Sequence, residues 1–180
     1  MKNLIFILFL IFISCNSKNE SVKENASSKW MHLEGNAQGT TFSIKYEGEI
    51  DYSGAVKSIF DEMDAELSLY IDSSLISKFN NDSSLLRMIP ESSKHFSNVY
   101  FHAQFIFNAT NGAFNPIIYP LVEYWGFGRK AETPDKIDSA EVERLRAFID
   151  MSKISFDRNL TKINCLKGTK FDFNGIAQGY

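Results

Sequence analysis

Helical and strand-like patterns occupy separate stretches of this 180-residue chain, and their order constrains its fold more than any other feature. Apolar residues recur at helical spacing over 55–69, 92–111 and 139–149, whereas short alternating runs fill 153–173. Helices that are separated along the chain from neighbouring antiparallel strands are typical of an α+β domain. The sequence therefore predicts an antiparallel sheet with amphipathic helices packed on it.

Start and stop signals refine the predicted helices. Gly112 follows the second helix and is placed as its C′ residue, where a left-handed conformation ends the helix. Asp138 is the predicted N-cap of the third helix, and Glu141 completes a capping-box-like pair with it. A short helical piece is expected at 75–80.

Strands are predicted on both sides of these helices. Residues 40–46 alternate and are rich in Thr, Phe and Ile, which favours a strand before the first helix. The chain after the last helix is expected to form a meander of short strands. Its strands are predicted at 153–157, 161–166 and 169–173, with turns at 158–159 and 167–168.

The charge balance argues against nucleic acid as a partner. Lys plus Arg is 19 and Asp plus Glu is 22, which leaves a formal net charge of −3, and no run of basic residues occurs. Cys165 lies in an apolar alternating segment and is predicted to be structural and not a nucleophile. His95 and His102 are predicted to be core or surface residues and not metal ligands.

The first fifteen residues resemble a bacterial lipoprotein signal. Lys2 precedes ten consecutive apolar residues at 4–13, a run too short to span a bilayer but suited to a secretory signal. Cys15 follows at the position where a lipobox thiol takes its lipid, which would anchor the protein in the bacterial cell envelope, in the periplasm or on the outer face of a membrane. An uncleaved signal anchor, or an incidental cysteine, is the alternative. The predicted organisation is a signal peptide at 1–15, a flexible tether at 16–29 and a domain at 30–180.

The last segment, 172–180, leaves the final predicted strand through a glycine turn and begins a helical pattern. Exposed backbone N–H groups at a strand–glycine–helix junction suit anions. Since a helix needs about three turns before it forms readily, the sequence is expected to be truncated here. A short terminal coil is the alternative.

Four segments carry residue combinations that packing alone does not require. They are Gln-Gly-Thr-Thr-Phe at 38–42, Leu-Ser-Leu-Tyr at 67–70 with 73–80, Thr-Asn-Gly-Ala-Phe-Asn-Pro at 110–116 continuing to Trp-Gly-Phe-Gly at 125–128, and Asp-Phe-Asn-Gly-Ile-Ala-Gln-Gly-Tyr at 172–180. In this order and at these spacings they resemble the ApbE family, the FAD:protein FMN transferases. The resemblance runs from about Trp30 to Tyr180 and covers only the first part of a family member.

The resemblance implies an activity, a cofactor and partners. Members of this family are Mg²⁺-dependent, and many are periplasmic lipoproteins with an α+β fold. They split FAD, release AMP and leave FMN on a Thr of a partner flavoprotein, such as a subunit of a sodium-pumping quinone reductase. Such phosphoryl chemistry depends on charge neutralisation and positioning more than on covalent help from the protein.

The resemblance also implies site residues. The positions matching the flavin and nucleotide contacts are Gln38, Tyr70, Ala113, Phe114, Asn115, Asp172 and Gln178, and Gly175 holds the position of a backbone carbonyl ligand to Mg²⁺. Tyr70 would offer a ring to stack on the flavin. Three positions depart from the family: Gln38 replaces Met, Asn115 replaces Asp, and Gln178 replaces Lys or Glu.

The family's side-chain ligands for Mg²⁺ come from beyond the matched part, so the 180-residue chain is expected to be weakly active or inactive. Three alternatives remain open from the sequence. The chain could bind flavin without transferring it, could hydrolyse FAD to FMN and AMP as a pyrophosphatase, or could be a purely structural surface protein.

Overall fold

The structure is a computed structural model that describes residues 29–129, 133–157, 159 and 161–180. Its strands are β1 (Trp30–Ala37), β2 (Thr40–Glu47), β3 (Leu86–Met88), β4 (Ser155–Asp157) and β5 (Lys162–Asn164). Its helices are α1 (Ser53–Leu67), α2 (Leu75–Asn81), α3 (Lys94–Ala109), α4 (Tyr119–Tyr124), α5 (Ser139–Arg146) and α6 (Asn174–Ala177), with a 3₁₀ turn at Met151–Lys153. This mixture of helices and antiparallel strands confirms the predicted α+β class.

The predicted signal peptide with Cys15 lies outside the described residues, as does the predicted tether except for its last residue, Lys29. Within the described ranges, no helix is long and apolar enough to cross a membrane.

β1 and β2 form a two-stranded antiparallel hairpin with Gln38 and Gly39 at its turn. Both turn residues have positive φ, 52° and 77°, as in the type I′ turns whose twist matches that of the strands. β2 confirms the strand predicted at 40–46. The sequence does not predict β1, because the weak strand formers from Gly35 to Ala37 blur its alternation.

The second sheet has three strands in the order β3-β5-β4, and both pairings are antiparallel. β4 and β5 confirm the first two strands of the predicted meander, and the turn at 167–168 is also confirmed. The predicted turn at 158–159 lies partly outside the described residues. The third strand of this sheet is Leu86–Met88, which lies far away in sequence and carries too short a pattern to be predicted.

The predicted strand at 169–173 is wrong. This segment has no strand partner among the described residues, because a side chain satisfies its backbone instead. The amide of Asn80 donates from Nδ2 to the Phe171 carbonyl, and Asn80 Oδ1 accepts from the Phe171 N–H, both at 2.8 Å. These two bonds replace the pair of ladder bonds that a neighbouring strand would have supplied.

α3 ends at Ala109, two residues before the predicted end at 111, and its C′ position lies one residue earlier than predicted. Asn111 has a φ of 50° and occupies C′, and Gly112 follows at C″ with a φ of 83°. The Gly112 N–H donates to the Phe107 carbonyl at 2.8 Å and the Asn111 N–H donates to the Asn108 carbonyl at 3.2 Å, which is the Schellman pattern. Placing Gly112 at C′ is therefore wrong, because Asn also tolerates the left-handed conformation.

Asp138 is confirmed as the N-cap of α5. Its Oδ1 accepts from the N–H groups of Ala140 at 2.9 Å and Glu141 at 3.4 Å. The Glu141 carboxylate forms two bonds to the Arg144 guanidinium, at 2.7 and 2.6 Å, so the second half of the predicted capping box is wrong. α5 ends at Arg146, earlier than predicted.

Aromatic rings from separate segments form the core. Phe171 is fully buried, and its ring centroid lies 5.1 Å from that of Phe79, 5.7 Å from that of Tyr100 and 5.2 Å from that of Phe173. Phe96 on α3 packs edge-on against Phe173 at 5.3 Å. These contacts join α2 and α3 to the segment that leads into 172–180.

Cys165 and His95 are buried, as expected of a structural cysteine and a core histidine, while the absence of nucleophilic and metal-binding roles stays a prediction. Cys165 is buried in the core, and burial raises the pKa of its thiol, which disfavours the reactive thiolate. His95 is buried on α3, and His102 is exposed on the same helix. Within the part of the chain that the structure describes, no three His, Cys, Asp or Glu side chains are grouped to hold a metal ion.

Candidate functional site

The fold brings two of the four motif segments into contact. The N–H of Asp172 donates to the carbonyl of Pro116 at 2.7 Å, which joins the segment 172–180 to the end of 110–116. Three residues after Asp172, Gly175 lies against the ring of Phe114, and a Cβ built at Gly175 would stand 3.2 Å from Cε2 of that ring. A side chain at Gly175 would therefore require the Phe114 ring to move by a few tenths of an ångström.

Asp172 is the most buried acidic group of this region. Its Oδ1 accepts from the N–H of Asn174 at 2.8 Å, which satisfies the first turn of α6. Burial raises the pKa of the Asp172 carboxyl, and the bond from Asn174 opposes this shift only in part. A cation or several hydrogen-bond donors at this carboxylate would lower its pKa again.

The segment from Ala113 to Asn115 follows the end of α3. Ala113 is exposed, and Phe114 is half-buried against the core. The N–H of Phe114 donates to Thr110 Oγ1 at 3.2 Å, and Asn115 Oδ1 accepts from the N–H of Ile117 at 3.1 Å. The side-chain oxygen of Asn115 therefore stabilises the loop that follows it. Its side-chain nitrogen can donate a hydrogen bond, which an ionised Asp at this position could not do.

Gln38 lies in the turn between β1 and β2, above α1. Its side chain lowers the pKa of the Asp64 carboxyl on α1, but burial has the larger effect and raises that pKa. The turn and Asp64 border an open cavity of about 520 Å³. The residues around this cavity are Asn36, Ala37, Gln38, Gly39, Thr40, Thr41 and Asp64.

Tyr70 lies in the turn between α1 and α2, and 69% of it is exposed. Two hydrogen bonds to Ser68 stabilise the turn. Ser74 Oγ donates to the Ser68 carbonyl at 2.6 Å, and the Tyr70 N–H donates to Ser68 Oγ at 3.3 Å. An aromatic ring that is exposed on an anchored turn can stack on a planar ligand at little entropic cost.

A second cavity, of about 360 Å³, lies beside this turn and was not predicted from the sequence. Two ion pairs line it, one between Arg129 and Asp72 and the other between Lys170 Nζ and Glu123 Oε2 at 2.6 Å. The other residues around it are Leu69, Ser77, Asn80, Asn81 and Tyr119. The signal that could have found it is positional: Arg129 follows the Trp-Gly-Phe-Gly segment directly, and Lys170 precedes Asp172 by two residues.

Tyr119 lines this cavity and is affected electrostatically by Asp172. Burial raises its pKa to about 12, with smaller contributions from the negative charges of Glu123 and Asp172. The Asp172 carboxylate is therefore close enough to act electrostatically on a wall of the 360 Å³ cavity.

The family model for the ApbE family matches residues 38–180. The chain belongs to the ApbE family. It is 27% identical over 163 residues to the FAD:protein FMN transferase of Haemophilus influenzae, which covers 85% of this chain and 47% of that protein. It is 26% identical over 184 residues to the FAD:protein FMN transferase of Buchnera aphidicola, covering 98% of this chain and 51% of that protein. The chain thus spans about half the length of the curated relatives it matches.

Solved ApbE structures share the fold. The flavin transferase ApbE from Vibrio cholerae superposes with a TM-score of 0.73 at 25% identity, over 84% of this chain and 50% of that one. The apo form of the flavinyl transferase ApbE from Pseudomonas stutzeri gives 0.78 at 23% identity, over 87% of this chain and 51% of that one. Both likenesses confirm the ApbE-like α+β fold.

The ApbE site residues are dispersed over three regions of this fold. Phe114, Asp172 and Gly175 are held together by the contacts described above. Gln38 belongs to the hairpin over α1, and Tyr70 belongs to the turn between α1 and α2. Ala113 and Asn115 flank Phe114, and Gln178 is exposed at the C-cap of α6. The assignment of each of these residues to flavin, nucleotide or metal remains a prediction.

Proposed function

We propose that this chain carries the first part of an FAD:protein FMN transferase, which moves FMN from FAD to a Thr of a partner flavoprotein. The observation that supports this most directly is the junction between the two motif segments, where Asp172 bonds to Pro116 and Gly175 lies against Phe114. The junction pairs a partly buried carboxylate with a backbone turn that a Cβ would crowd. It belongs to a chain whose curated relatives are named for this reaction.

The residues at this junction suit Mg²⁺ in type. Mg²⁺ prefers oxygen ligands, and it commonly binds through one or two protein oxygens together with waters and substrate phosphates. The raised pKa of Asp172 fits a carboxylate that a cation would stabilise. In this proposal the Gly175 carbonyl would hold the ion, with the Asp172 carboxylate of the same segment adding negative charge, and the bound ion would supply charge neutralisation on the diphosphate.

The chain's own residues bind and orient FAD in this proposal. The exposed ring of Tyr70 stacks on the isoalloxazine, and Gln38 borders the cavity above α1. The backbone and side chains from Ala113 to Asn115 contact the nucleotide, and Gln178 lies at the end of α6 near the phosphates. The acceptor Thr oxygen bonds to the FMN-side phosphorus, the bond to the AMP oxygen breaks, and the Thr proton leaves to a base.

Binding and turnover are measured separately to test the function. The 16–180 chain is expected to quench flavin fluorescence on binding FAD with Mg²⁺ present, and to release AMP slowly, since Gly175 and Asp172 offer Mg²⁺ few protein ligands. Rapid Mg²⁺-dependent AMP release would contradict the expectation of low activity. Free FMN would indicate a pyrophosphatase, binding without AMP would indicate a flavin carrier, and absence of binding would overturn the proposed function.

Replacing Tyr70 with alanine is expected to raise the Kd for FAD about tenfold, because aromatic stacking on a planar ring contributes about 1–3 kcal/mol. Fluorescence titration of FAD measures this change. Tyr70→Phe keeps the ring and should bind nearly as well as the unaltered chain. Tyr52→Ala removes another exposed tyrosine, 46% exposed beside α1, and should leave Kd unchanged. Equal loss in the Tyr52 and Tyr70 variants would contradict stacking at Tyr70.

We also propose that Cys15 carries a lipid that anchors the protein at the periplasmic or outer face of a bacterial membrane. Support comes from the ten apolar residues at 4–13, followed by Ser14, Cys15 and a polar stretch. One lipoprotein anchor of several acyl chains gives stable attachment, because each buried CH₂ contributes about 0.8 kcal/mol.

Replacing Cys15 with serine is therefore expected to move the protein from the membrane fraction to the soluble fraction of cells. Fractionation followed by intact-mass measurement detects both the relocation and the loss of the lipid mass. Cys165→Ser is the matched control and should keep the protein at the membrane, because Cys165 is buried in the domain. An unaltered protein whose intact mass lacks the lipid, or a Cys15→Ser protein that keeps it, would contradict the lipid anchor.

A further inference from the structure

The placement of α6 depends on contacts made by side chains outside it. α6 is a single turn at Asn174–Ala177, and so short a helix contributes little to its own stability. The Asp172 carboxylate accepts from the N–H of Asn174, the first residue of α6, and Phe173 is buried in the core immediately before it. The turn continues beyond it, since the N–H of Tyr180 donates to the Ala177 carbonyl at 3.2 Å.

The side chain of Tyr180 returns to α3. Its Oη lies 3.1 Å from Asn98 Nδ2 and 3.3 Å from His95 Nδ1. The Tyr180 ring meets the His95 ring edge-on, with centroids 5.7 Å apart and planes at 82°. The Tyr180 hydroxyl thus contacts two residues of α3, and Tyr180 lies three residues after the end of α6.

His95 is itself held in place by α1. Its ring is nine-tenths buried, and Nε2 lies 3.5 Å from Oε2 of Glu62. The same Glu62 oxygen lies 3.2 Å from Lys94 Nζ, and Glu62 Oε1 accepts from Ser58 Oγ at 3.2 Å. One assignment satisfies the groups around the phenol: Asn98 donates to the phenol oxygen, and the phenol O–H donates to Nδ1. The Nε2–H then faces Glu62 without forming a hydrogen bond.

We propose that Tyr180, His95 and Asn98 form a latch that positions α6, and with it Gly175 and Gln178, for the FAD diphosphate. The inference rests on the proposed function for its ligand, but the latch itself is a property of the fold. Tyr180 is a positioning residue, because it acts through α6. Phe114 contacts α6 at Gly175, and the latch holds the chain after α6 at Tyr180. Gln178 therefore lies between two residues whose positions are set by contacts with the rest of the domain.

The test uses the full chain purified in detergent, with Tyr180→Phe, Asn98→Ala and the double variant. The hydrogen-exchange rates of the Ala177 and Gly179 amides report how well α6 is ordered, and fluorescence titration gives the Kd for FAD. Asn98→Ala is expected to raise both the exchange rate and Kd about fivefold, which corresponds to the loss of one ordinary hydrogen bond. Tyr180→Phe removes the hydroxyl that contacts both Asn98 and His95, so its effect should be larger. The double variant should resemble Tyr180→Phe, since that change already breaks the contact with Asn98.

Two controls separate positioning from general stability. Tyr124→Phe removes a phenol oxygen that accepts from the N–H of Asp138 at 2.8 Å, far along the chain from α6. Ile163→Val trims a fully buried residue of β5 and lowers stability without touching α6. Both controls should leave the Kd for FAD and the exchange of the α6 amides unchanged.

The outcomes distinguish this inference from the proposed function. Unchanged exchange at Ala177 and Gly179 in Tyr180→Phe would overturn the latch, whether or not the chain binds FAD. Faster exchange with an unchanged Kd would overturn the positioning role. Absence of FAD binding by the unaltered chain would overturn the proposed function, and exchange alone would then decide whether the latch orders α6.

Discussion

Replacing Phe171 with alanine is expected to lower the free energy of unfolding by about 4 kcal/mol, because a fully buried ring leaves a cavity that the core cannot refill. Phe171 is 0% exposed, and its ring lies against those of Phe79, Phe96, Tyr100 and Phe173. Urea denaturation followed by circular dichroism measures the change as a lower midpoint. The variant is also expected to bind FAD poorly, because Phe171 immediately precedes Asp172.

Phe105→Ala is the matched control for this change. Phe105 is 71% exposed on α3, so its truncation should alter the free energy of unfolding by about 0.5 kcal/mol or less. Phe171→Leu should lose less stability than Phe171→Ala, since leucine refills part of the space. A Phe171→Ala chain as stable as the Phe105 variant would contradict the packing described for the core.

Asp172→Asn is expected to have opposite effects on FAD binding and on stability. Removing the carboxylate should raise the Kd for FAD with Mg²⁺ about tenfold to a hundredfold, the range seen when a charged hydrogen-bonding group is lost. Fluorescence titration with and without Mg²⁺ measures this loss. The loss should be smaller without Mg²⁺ if the carboxylate acts through the ion.

The sign of the stability effect follows from the pKa of Asp172. Burial raises this pKa in the folded state, so the folded state binds more protons than the unfolded state as the carboxyl titrates, and stability falls as the pH rises through this range. Asparagine removes the burial cost of the charge and keeps an oxygen for the Asn174 N–H. Asp172→Asn should therefore raise the thermal midpoint at pH 7, and this gain should vanish at a pH low enough to protonate Asp172.

Asp51→Asn provides the opposite case. The N–H and side chain of Ser53 hold the pKa of the exposed Asp51 carboxyl below its ordinary value, so its charge stabilises the fold above that range. Asp51→Asn should lower the thermal midpoint at pH 7 slightly and leave the Kd for FAD unchanged. A lower midpoint for Asp172→Asn at pH 7 would contradict the buried, unpaired state of that carboxylate.

Both large effects arise in one short segment. Phe171 points into the core and Asp172 belongs to the candidate site, so adjacent residues serve stability and function separately. A carboxylate that costs stability when no ligand is bound is a common compromise at functional sites. The Asn80 amide, which satisfies both backbone groups of Phe171, keeps this segment in place without a strand partner.

Periodicity within single segments was sufficient to predict α1, α3 and α5. Their apolar spacing, and the cap at Asp138, depend on residues within a few positions of one another, so the sequence alone contains the relevant information. The motif segments also identify the ApbE family from the sequence, because their residue types and order do not depend on how the chain folds. The α+β class follows from the same local patterns.

Long-range contacts decided the rest. The pairing of Leu86–Met88 with β5, and the capture of Phe171 by Asn80, depend on partners that no local pattern specifies. The same holds for the Arg129 and Lys170 ion pairs around the 360 Å³ cavity and for the meeting of Tyr180 with His95 and Asn98. Hydrophobic periodicity identifies which face of an element is buried, but only the packed tertiary structure determines which distant polar groups meet there.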